Sequence, residues 1–260
     1  MLTAPKHVDC ETTALFLDVD GTLLDIQDHP GDVRADPELV ELLQQLLTHF
    51  NGALALISGR SIAEIDRIFD NVHFPAVGAH GAEMREVNSV LEAAPSRPLP
   101  ANVLQRITRL VDDHDGLLLE RKKGGVSLHY RRAPELAAKC KALVLEVMPE
   151  LGSDFRLIEG KMVYEIAPRQ HNKGEAIRQL LKSREFKQRQ PVFIGDDITD
   201  EDGFEVVNAL QGISIRVGAG SATAAQFALG SVADVREWLH SVVAASRGNN
   251  KSWRTSVDES

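Results

Sequence analysis

Unbroken apolar runs at residues 14–17, 53–57 and 191–194 alternate along the chain with segments whose apolar positions recur every three or four residues. A short run with no polar alternation suits a parallel strand covered on both faces, since alternation is needed only where one face meets water. Leu39, Leu42, Leu43, Leu46 and Leu47 mark one face of a helix over 37–50, and Ile62, Ile65 and Ile68 mark another over 61–69. Asp36 ahead of Pro37 supplies an N-cap followed by a proline at the first helical position. Strands alternating with helices predict an α/β fold with a doubly wound, Rossmann-like parallel sheet.

Between residues 96 and 168 the pattern changes. Leu104, Ile107, Leu110 and Val111 predict a helix, and 134–147 a second one. Residues 117–122 and 126–131 read as strands joined across Lys123-Gly124-Gly125. Residues 155–158 and 161–166 read as a hairpin turning about Glu159-Gly160. Helix, hairpin, helix, hairpin predicts an α+β unit inserted into the α/β domain. The expected division is therefore 1–95 and 169–246 for the α/β domain, 96–168 for the insert, and 247–260 for a flexible polar tail. The proline-rich stretch 94–100 and Pro168 are candidate hinges.

A chain of 260 residues has room for this arrangement, and 43% hydrophobic with 26% charged residues is an ordinary globular balance. A net charge of −9 argues against nucleic acid or an anionic membrane as the main partner. No apolar run approaches the roughly 20 residues of a membrane span. The polar first residues lack the pattern of a secretory signal, and Cys10 and Cys140 are too few for a disulfide framework. A cytoplasmic location is the expectation.

The chemistry-bearing residues gather at the ends of the strands. The first apolar run leads into Asp18 and Asp20, the second into Ser58, and the third into Asp196 and Asp197. Open parallel sheets bind ligands outside the carboxyl ends of their strands. Taken singly, Asp18-Val19-Asp20-Gly21-Thr22 reads as a turn and Gly195 to Asp202 as a solvated acidic loop. An EF-hand fails on spacing, because Ile198 stands where a ligand is required. Asp18 follows four apolar residues, and an ionised carboxylate buried there is costly unless paired or bound to metal. So many clustered carboxylates repel one another without a cation, and oxygen donors with neither thiolate nor paired histidine point to Mg²⁺. Lys173, one residue past the N-cap Asn172, opposes the helix dipole at a cost of up to about 1 kcal/mol. It is either an exposed lysine or the group that neutralises a phosphate and its nucleophile. His80 reads as structural rather than catalytic.

In the insert, Met162, Tyr164 and Ile166 share one strand face and leave Lys161 and Glu165 on the other. Val126, Leu128 and Tyr130 alternate with Ser127, His129 and Arg131, and Glu120 shares a face with Lys122. Mixed carboxylates and ammonium groups suit a neutral polyol, whose hydroxyls both donate and accept hydrogen bonds.

The segments at Asp18, Ser58, Lys173 and Asp196 resemble, in order and type, the four motifs of the haloacid dehalogenase (HAD) superfamily of phosphohydrolases. The insert between Ser58 and Lys173 is similar to one of that superfamily's caps, the C2B type. Within the superfamily, four segments resemble the trehalose-phosphate phosphatase family. They are Phe16-Leu17-Asp18-Val19-Asp20-Gly21-Thr22-Leu23-Leu24, Gly78-Ala79-His80-Gly81-Ala82-Glu83, His129-Tyr130-Arg131 and Gly195-Asp196-Asp197-Ile198-Thr199-Asp200-Glu201.

The resemblance implies that Asp18 attacks phosphorus, that Asp20 is the general acid and base, and that Ser58 and Lys173 hold the phosphoryl oxygens. It implies Mg²⁺ on the Asp18 carboxylate, the Asp20 carbonyl and Asp196, with Asp197 and Asp200 supporting and Asp200 orienting Lys173. For the substrate it implies contacts from Gly21 and from the cap residues Glu120, Lys122 and Glu165, with Lys161, His129 and Arg131 beside them. The implied partner is a small-molecule sugar phosphate, trehalose 6-phosphate, and a monomer is the expected state. A related phosphatase for another sugar phosphate, such as sucrose phosphate, or a non-catalytic sugar-phosphate sensor are the other readings.

Overall fold

The apolar runs form the middle of a sheet. The structure, a computed structural model, describes residue 3 and residues 8–27, 29–86, 89–92, 98–122, 124–169, 171–219 and 222–252. Strand β1 (Thr13–Leu17) leads to helix α1 (Pro37–His49), β2 (Leu54–Ile57), helix α2 (Ile62–Ile68) and β3 (Ala76–Gly78), followed by the hairpin β4 (Glu83–Glu86) and β5 (Ser89–Glu92). Helix α3 (Ala101–Asp112), β6 (Leu118–Lys122), β7 (Gly125–His129), helix α4 (Ala137–Leu151), β8 (Phe155–Gly160) and β9 (Val163–Pro168) come next. The chain closes with α5 (Lys173–Leu180), β10 (Gln190–Gly195), α6 (Glu201–Ala209), β11 (Ile213–Val217), β12 (Phe227–Leu229) and α7 (Val232–Ser252).

Eight strands make the larger sheet, in the order β12-β11-β10-β1-β2-β3-β4-β5. From β12 to β3 the pairings are parallel, and the β4–β5 hairpin continues the edge antiparallel. Chain order runs outward from β1 in one direction to β3 and from β10 in the other to β12. The switch point therefore lies between β1 and β10, where Leu17 pairs with Ile194, and such a crevice is where open α/β sheets bind ligands. Every residue of β1 and β2 is buried, as continuous apolar runs require. The Asp36 carboxylate caps α1, and Ser61 with Glu64 makes a capping box at α2.

The second sheet is antiparallel, in the order β6-β7-β9-β8. It has its own apolar cluster, in which Val103 and Ile107 of α3 and Val144 and Val147 of α4 pack on Val126, Leu128, Tyr164 and Ile166. The opposite, polar face of β6, β7 and β9 is left for other work. The structure moves the second hairpin's turn. Glu159 and Gly160 stay paired in β8, opposite Tyr164 and Val163, and the turn falls at Lys161 and Met162, with Met162 left-handed at φ 62°. A two-residue turn lets the ladder run two pairs further, and it puts Lys161 at the tip. Pro168, read as a hinge, is the last residue of β9 and lies opposite Phe155. Of the other hinge stretch, residues 94–97 lie outside the described residues. Helix α7 runs to Ser252, past the point where the polar tail was expected to begin, and 253–260 lie outside the described residues. Among the described residues no helix is long and apolar enough to cross a membrane.

Candidate active site

Asp18 leaves β1 as the chain crosses the switch point, its amide still donating to Ile194 O of β10 at 2.9 Å. Its carboxylate is buried, with Oδ1 2.7 Å from Lys173 Nζ and Oδ2 accepting from the Thr22 hydroxyl at 3.1 Å. Lys173 begins α5 behind the Asn172 cap. It is not the exposed lysine that its unfavourable place on the helix dipole allows, but is buried between Asp18 and Asp200, whose Oδ1 lies 2.6 Å from Nζ. The other Asp200 oxygen accepts the amides of Asp196 at 2.9 Å and Asp197 at 2.8 Å. Both oxygens of Asp200 are therefore committed, and it fixes the loop after β10 together with the lysine. Asp197 caps the short helical turn that follows, accepting from Ile198 N at 2.7 Å.

The electrostatics point to missing positive charge. Burial pushes the Asp18 carboxyl well above the usual range; Lys173 opposes this, while Asp200 and Asp196 add to it. Asp196 is also raised, first by burial and against the pull of Lys161. For Lys173 burial acts the other way, but the Asp18 and Asp200 carboxylates outweigh it and hold the ammonium well above its ordinary range. Carboxylate oxygens of Asp18, Asp196 and Asp200 lie within 4.8 Å of one another, and Asp196 Oδ1 is buried without a partner among the described residues. An oxygen-only cluster with a free buried acceptor fits Mg²⁺. The Asp20 side chain is paired with Arg60, which holds it through Nε on Oδ2 and Nη2 on Oδ1, both at 2.6 Å. The resemblance gives Asp20 a metal contact through its main-chain carbonyl, which this pairing leaves unaffected.

Gly21 packs against the Asp196 carboxylate. It sits at φ +84°, and a Cβ there would lie 2.2 Å from Asp196 Oδ2 and 2.7 Å from Oδ1. Its conformation lets the Asp18 loop pass beside the Asp196 carboxylate. Gly21→Ala is expected to displace Asp196 and lower phosphate release about 100-fold, with a stability loss of about 1–2 kcal/mol from the left-handed backbone. Initial rates and thermal melts check this, and an alanine variant with wild-type turnover would contradict it.

The polar face of the second sheet closes over this rim. A cavity of about 350 Å³ lies between them, touched by Asp18, Asp20, Ser58, Lys173, Asp196 and Asp197 on one side and by Glu120, Lys122, His129, Arg131, Lys161 and Glu165 on the other. Its volume falls in the roughly 300–1,000 Å³ range of small-molecule sites. Glu165 is buried, with Oε2 held by Lys122 Nζ at 3.0 Å and the Ser127 hydroxyl at 2.9 Å. Burial alone would raise its carboxyl, but His80 and Lys122 hold it far below the ordinary range. His129 Nε2 stands 2.9 Å from Glu120 Oε2, and Arg131 Nη2 donates to Lys161 O at 3.1 Å. Lys161, at the hairpin tip, reaches across to Asp196 Oδ2 at 2.5 Å.

Two residues of this site carry no role in the sequence reading. Arg60 closes the segment Ile57-Ser58-Gly59-Arg60, but the sequence assigns it no role, because nothing local links it to Asp20 forty positions earlier. His80 reads as structural, yet its Nε2 lies 2.9 Å from Glu165 Oε1 and its ring lines the cavity. The available signal for both was their place in loops that follow parallel strands, on the rim where ligands bind.

A buried aspartate at the switch point of a doubly wound sheet, answered by one lysine and a cluster of oxygen donors, is the arrangement that the resemblance to HAD phosphohydrolases implies, and it suits phosphoryl transfer through a carboxylate nucleophile. The comparisons narrow that class. Residues 16–233 match the family model described as trehalose-phosphatase, and the chain belongs to that family. The trehalose-6-phosphate phosphatase of Escherichia coli (strain K12) is 40% identical over 249 residues, covering 92% of this chain and 91% of that protein. The probable trehalose-phosphate phosphatase of Sinorhizobium fredii (strain NBRC 101917 / NGR234) is 38% identical over 241 residues, covering 91% of this chain and 88% of that protein. The solved C-terminal domain of C. albicans trehalose-6-phosphate phosphatase superposes with a TM-score of 0.80 at 24% identity, over 90% of this chain and 93% of that one. At that identity the likeness is one of fold.

Proposed function

We propose that this protein is a cytoplasmic, Mg²⁺-dependent phosphatase that hydrolyses trehalose 6-phosphate to trehalose and phosphate. The observation that carries the reading is a single cavity bounded on one side by the Asp18–Lys173–Asp196 rim and on the other by a polar sheet face of carboxylates and cations. Phosphoryl transfer needs in-line positioning and positive charge around the equatorial oxygens. Neutral sugar hydroxyls need mixed donors and acceptors. Both sides come from one chain.

In this reading residues 96–168 are the cap, and 1–95 with 169–246 are the catalytic domain. An Asp18 carboxylate oxygen attacks phosphorus while the bond to the sugar oxygen breaks, and Asp20 gives that oxygen its proton. The aspartyl phosphate on Asp18 is then attacked by water, whose proton passes to Asp20, and the P–O bond to Asp18 breaks. Ser58 and Lys173 hold the transferring oxygens, and Arg60 positions Asp20. Asp18, Asp196 and the Asp20 carbonyl would hold Mg²⁺, which supplies the positive charge that the buried carboxylates lack. Glu120, Lys122 and Glu165 take the sugar hydroxyls, flanked by His129, Arg131 and Lys161, and the closed cap keeps bulk water out.

The test is phosphate release from a set of sugar phosphates, with Mg²⁺ and after its removal by chelator. A site built on hydrogen bonds to hydroxyls discriminates strongly against analogues that leave those groups unpaired, so kcat/KM for trehalose 6-phosphate should exceed that for glucose 6-phosphate at least about 100-fold. Chelation should abolish turnover. Equal efficiency with hexose monophosphates or sucrose 6-phosphate would overturn the substrate, and undiminished turnover in chelator would overturn the metal.

A further inference from the structure

Ala79 and His80, just after β3, both lie in the left-handed region, at φ 47° and 54°. Residues other than glycine adopt that conformation at a steric cost, and such costs gather where function requires them. The two residues are tied to the loop after β2. Ala79 N donates to Arg60 O at 2.7 Å and His80 N to Ser58 O at 3.1 Å. The imidazole is buried over Gly59, where a Cβ would lie 2.4 Å from Nε2. From there Nε2 meets Glu165 Oε1 in the second sheet.

The two oxygens of Glu165 are thus set from different places. Oε2 is held by Lys122 and Ser127, both from the same sheet as Glu165. Oε1 is met by a residue anchored to the Ser58 loop. We propose that His80 is a positioning residue for the sugar: it docks the cap onto the phosphate-holding loop through Glu165 Oε1, so that this carboxylate is correctly placed only when the cap is closed. The inference rests on Glu165 reading the sugar, as the proposed function has it. Other contacts among the described residues also join the sheets' surroundings, including the ion pairs of Arg156 Nη1 with Asp202 Oδ2 and Lys161 Nζ with Asp196 Oδ2, each at 2.5 Å. Loss of the imidazole is therefore read at Glu165 and not as general undocking.

The test compares His80→Asn, His80→Gln, Glu165→Ala and the His80→Asn/Glu165→Ala double variant in the full-length enzyme with Mg²⁺. Asparagine suits the left-handed backbone but is too short to reach Glu165, whereas glutamine restores a donor at the reach of Nε2. His80→Asn should raise KM for trehalose 6-phosphate about tenfold, the loss of one hydrogen bond. The kcat/KM for p-nitrophenyl phosphate, which has no sugar to place, should fall several-fold less than that for trehalose 6-phosphate. His80→Gln should recover most of the KM, and the double variant should be no worse than Glu165→Ala alone. If Glu165→Ala raises KM and His80→Asn does not, or if the two effects add, the role given to His80 is wrong. If both substrates suffer equally in His80→Asn, the residue acts on the catalytic loop and the proposal is again overturned. If Glu165→Ala itself leaves KM unmoved, the failure lies in the sugar-reading role of Glu165, and the inference falls with it.

Discussion

Asp18→Asn is expected to lower phosphate release on the order of 10⁴-fold or more while the protein remains folded. The amide is nearly isosteric and still accepts a hydrogen bond from Thr22, but it cannot form the aspartyl phosphate. The fold should not suffer in proportion. Burial with Asp200 and Asp196 nearby pushes the Asp18 carboxyl up against the pull of Lys173, so its ionised form is held under strain. A neutral group there removes one of three close carboxylates and leaves Lys173 paired with Asp200 at 2.6 Å. A melting temperature equal to or above that of the wild type in metal-free buffer, with no measurable turnover in Mg²⁺, is the expected pair of results. Turnover within about tenfold of wild type would exclude Asp18 as nucleophile.

Lys173→Ala should damage both activity and stability. Removing the ammonium leaves Asp18 and Asp200 buried and unanswered, and breaking a buried ion pair from one side costs about 3–5 kcal/mol. Loss of one charged donor to the transferring phosphoryl group costs a further factor of about 10²–10³ in kcat. Lys173→Arg should not rescue, because a planar guanidinium does not fit where a compact ammonium bridges two carboxylates. The deficit has a direction with pH. Asp18 already has a raised carboxyl pKa in the folded state, and a group of that kind contributes stability that is complete below its unfolded value and is lost as pH rises through its folded value. Without Lys173 the rise is larger, so denaturant melts should show the variant weakest at neutral and alkaline pH and partly restored in acid. A pH-independent deficit, or wild-type stability at neutral pH, would contradict the placement of Lys173 between the two carboxylates.

Much of the architecture was legible because it rests on local patterns. Residues 14–17, 53–57 and 191–194 had no polar interruption and became strands β1, β2 and β10, and the carboxylates that follow β1 and β10 came together at the switch point between them. What the sequence could not convey is contact between distant segments. Arg60 meets Asp20 and His80 meets Glu165 only after the strands are ordered, and neither local spacing nor residue type announces such a pair. The hairpin turn at Lys161 and Met162 was misplaced because Gly160 reads as a turn residue. Which residue turns is decided by how far the β8–β9 ladder extends, and Met162 accepts a left-handed backbone to extend it. The need for glycine at position 21 was hidden for a related reason: it is set by the Asp196 carboxylate pressed against it, from the loop after β10 far along the chain.

On this mechanism Asp18 takes the phosphoryl group from a disaccharide phosphate selected by the cap. Mixing the enzyme with trehalose 6-phosphate and Mg²⁺, quenching in acid within the first turnover and mapping the digest by mass spectrometry tests it directly. The expected result is a phosphoryl group on the peptide carrying Asp18, absent from Asp18→Asn and far scarcer when glucose 6-phosphate replaces the disaccharide phosphate at equal concentration. Phosphate release without label on that peptide, or equal labelling by the monosaccharide, would contradict the account.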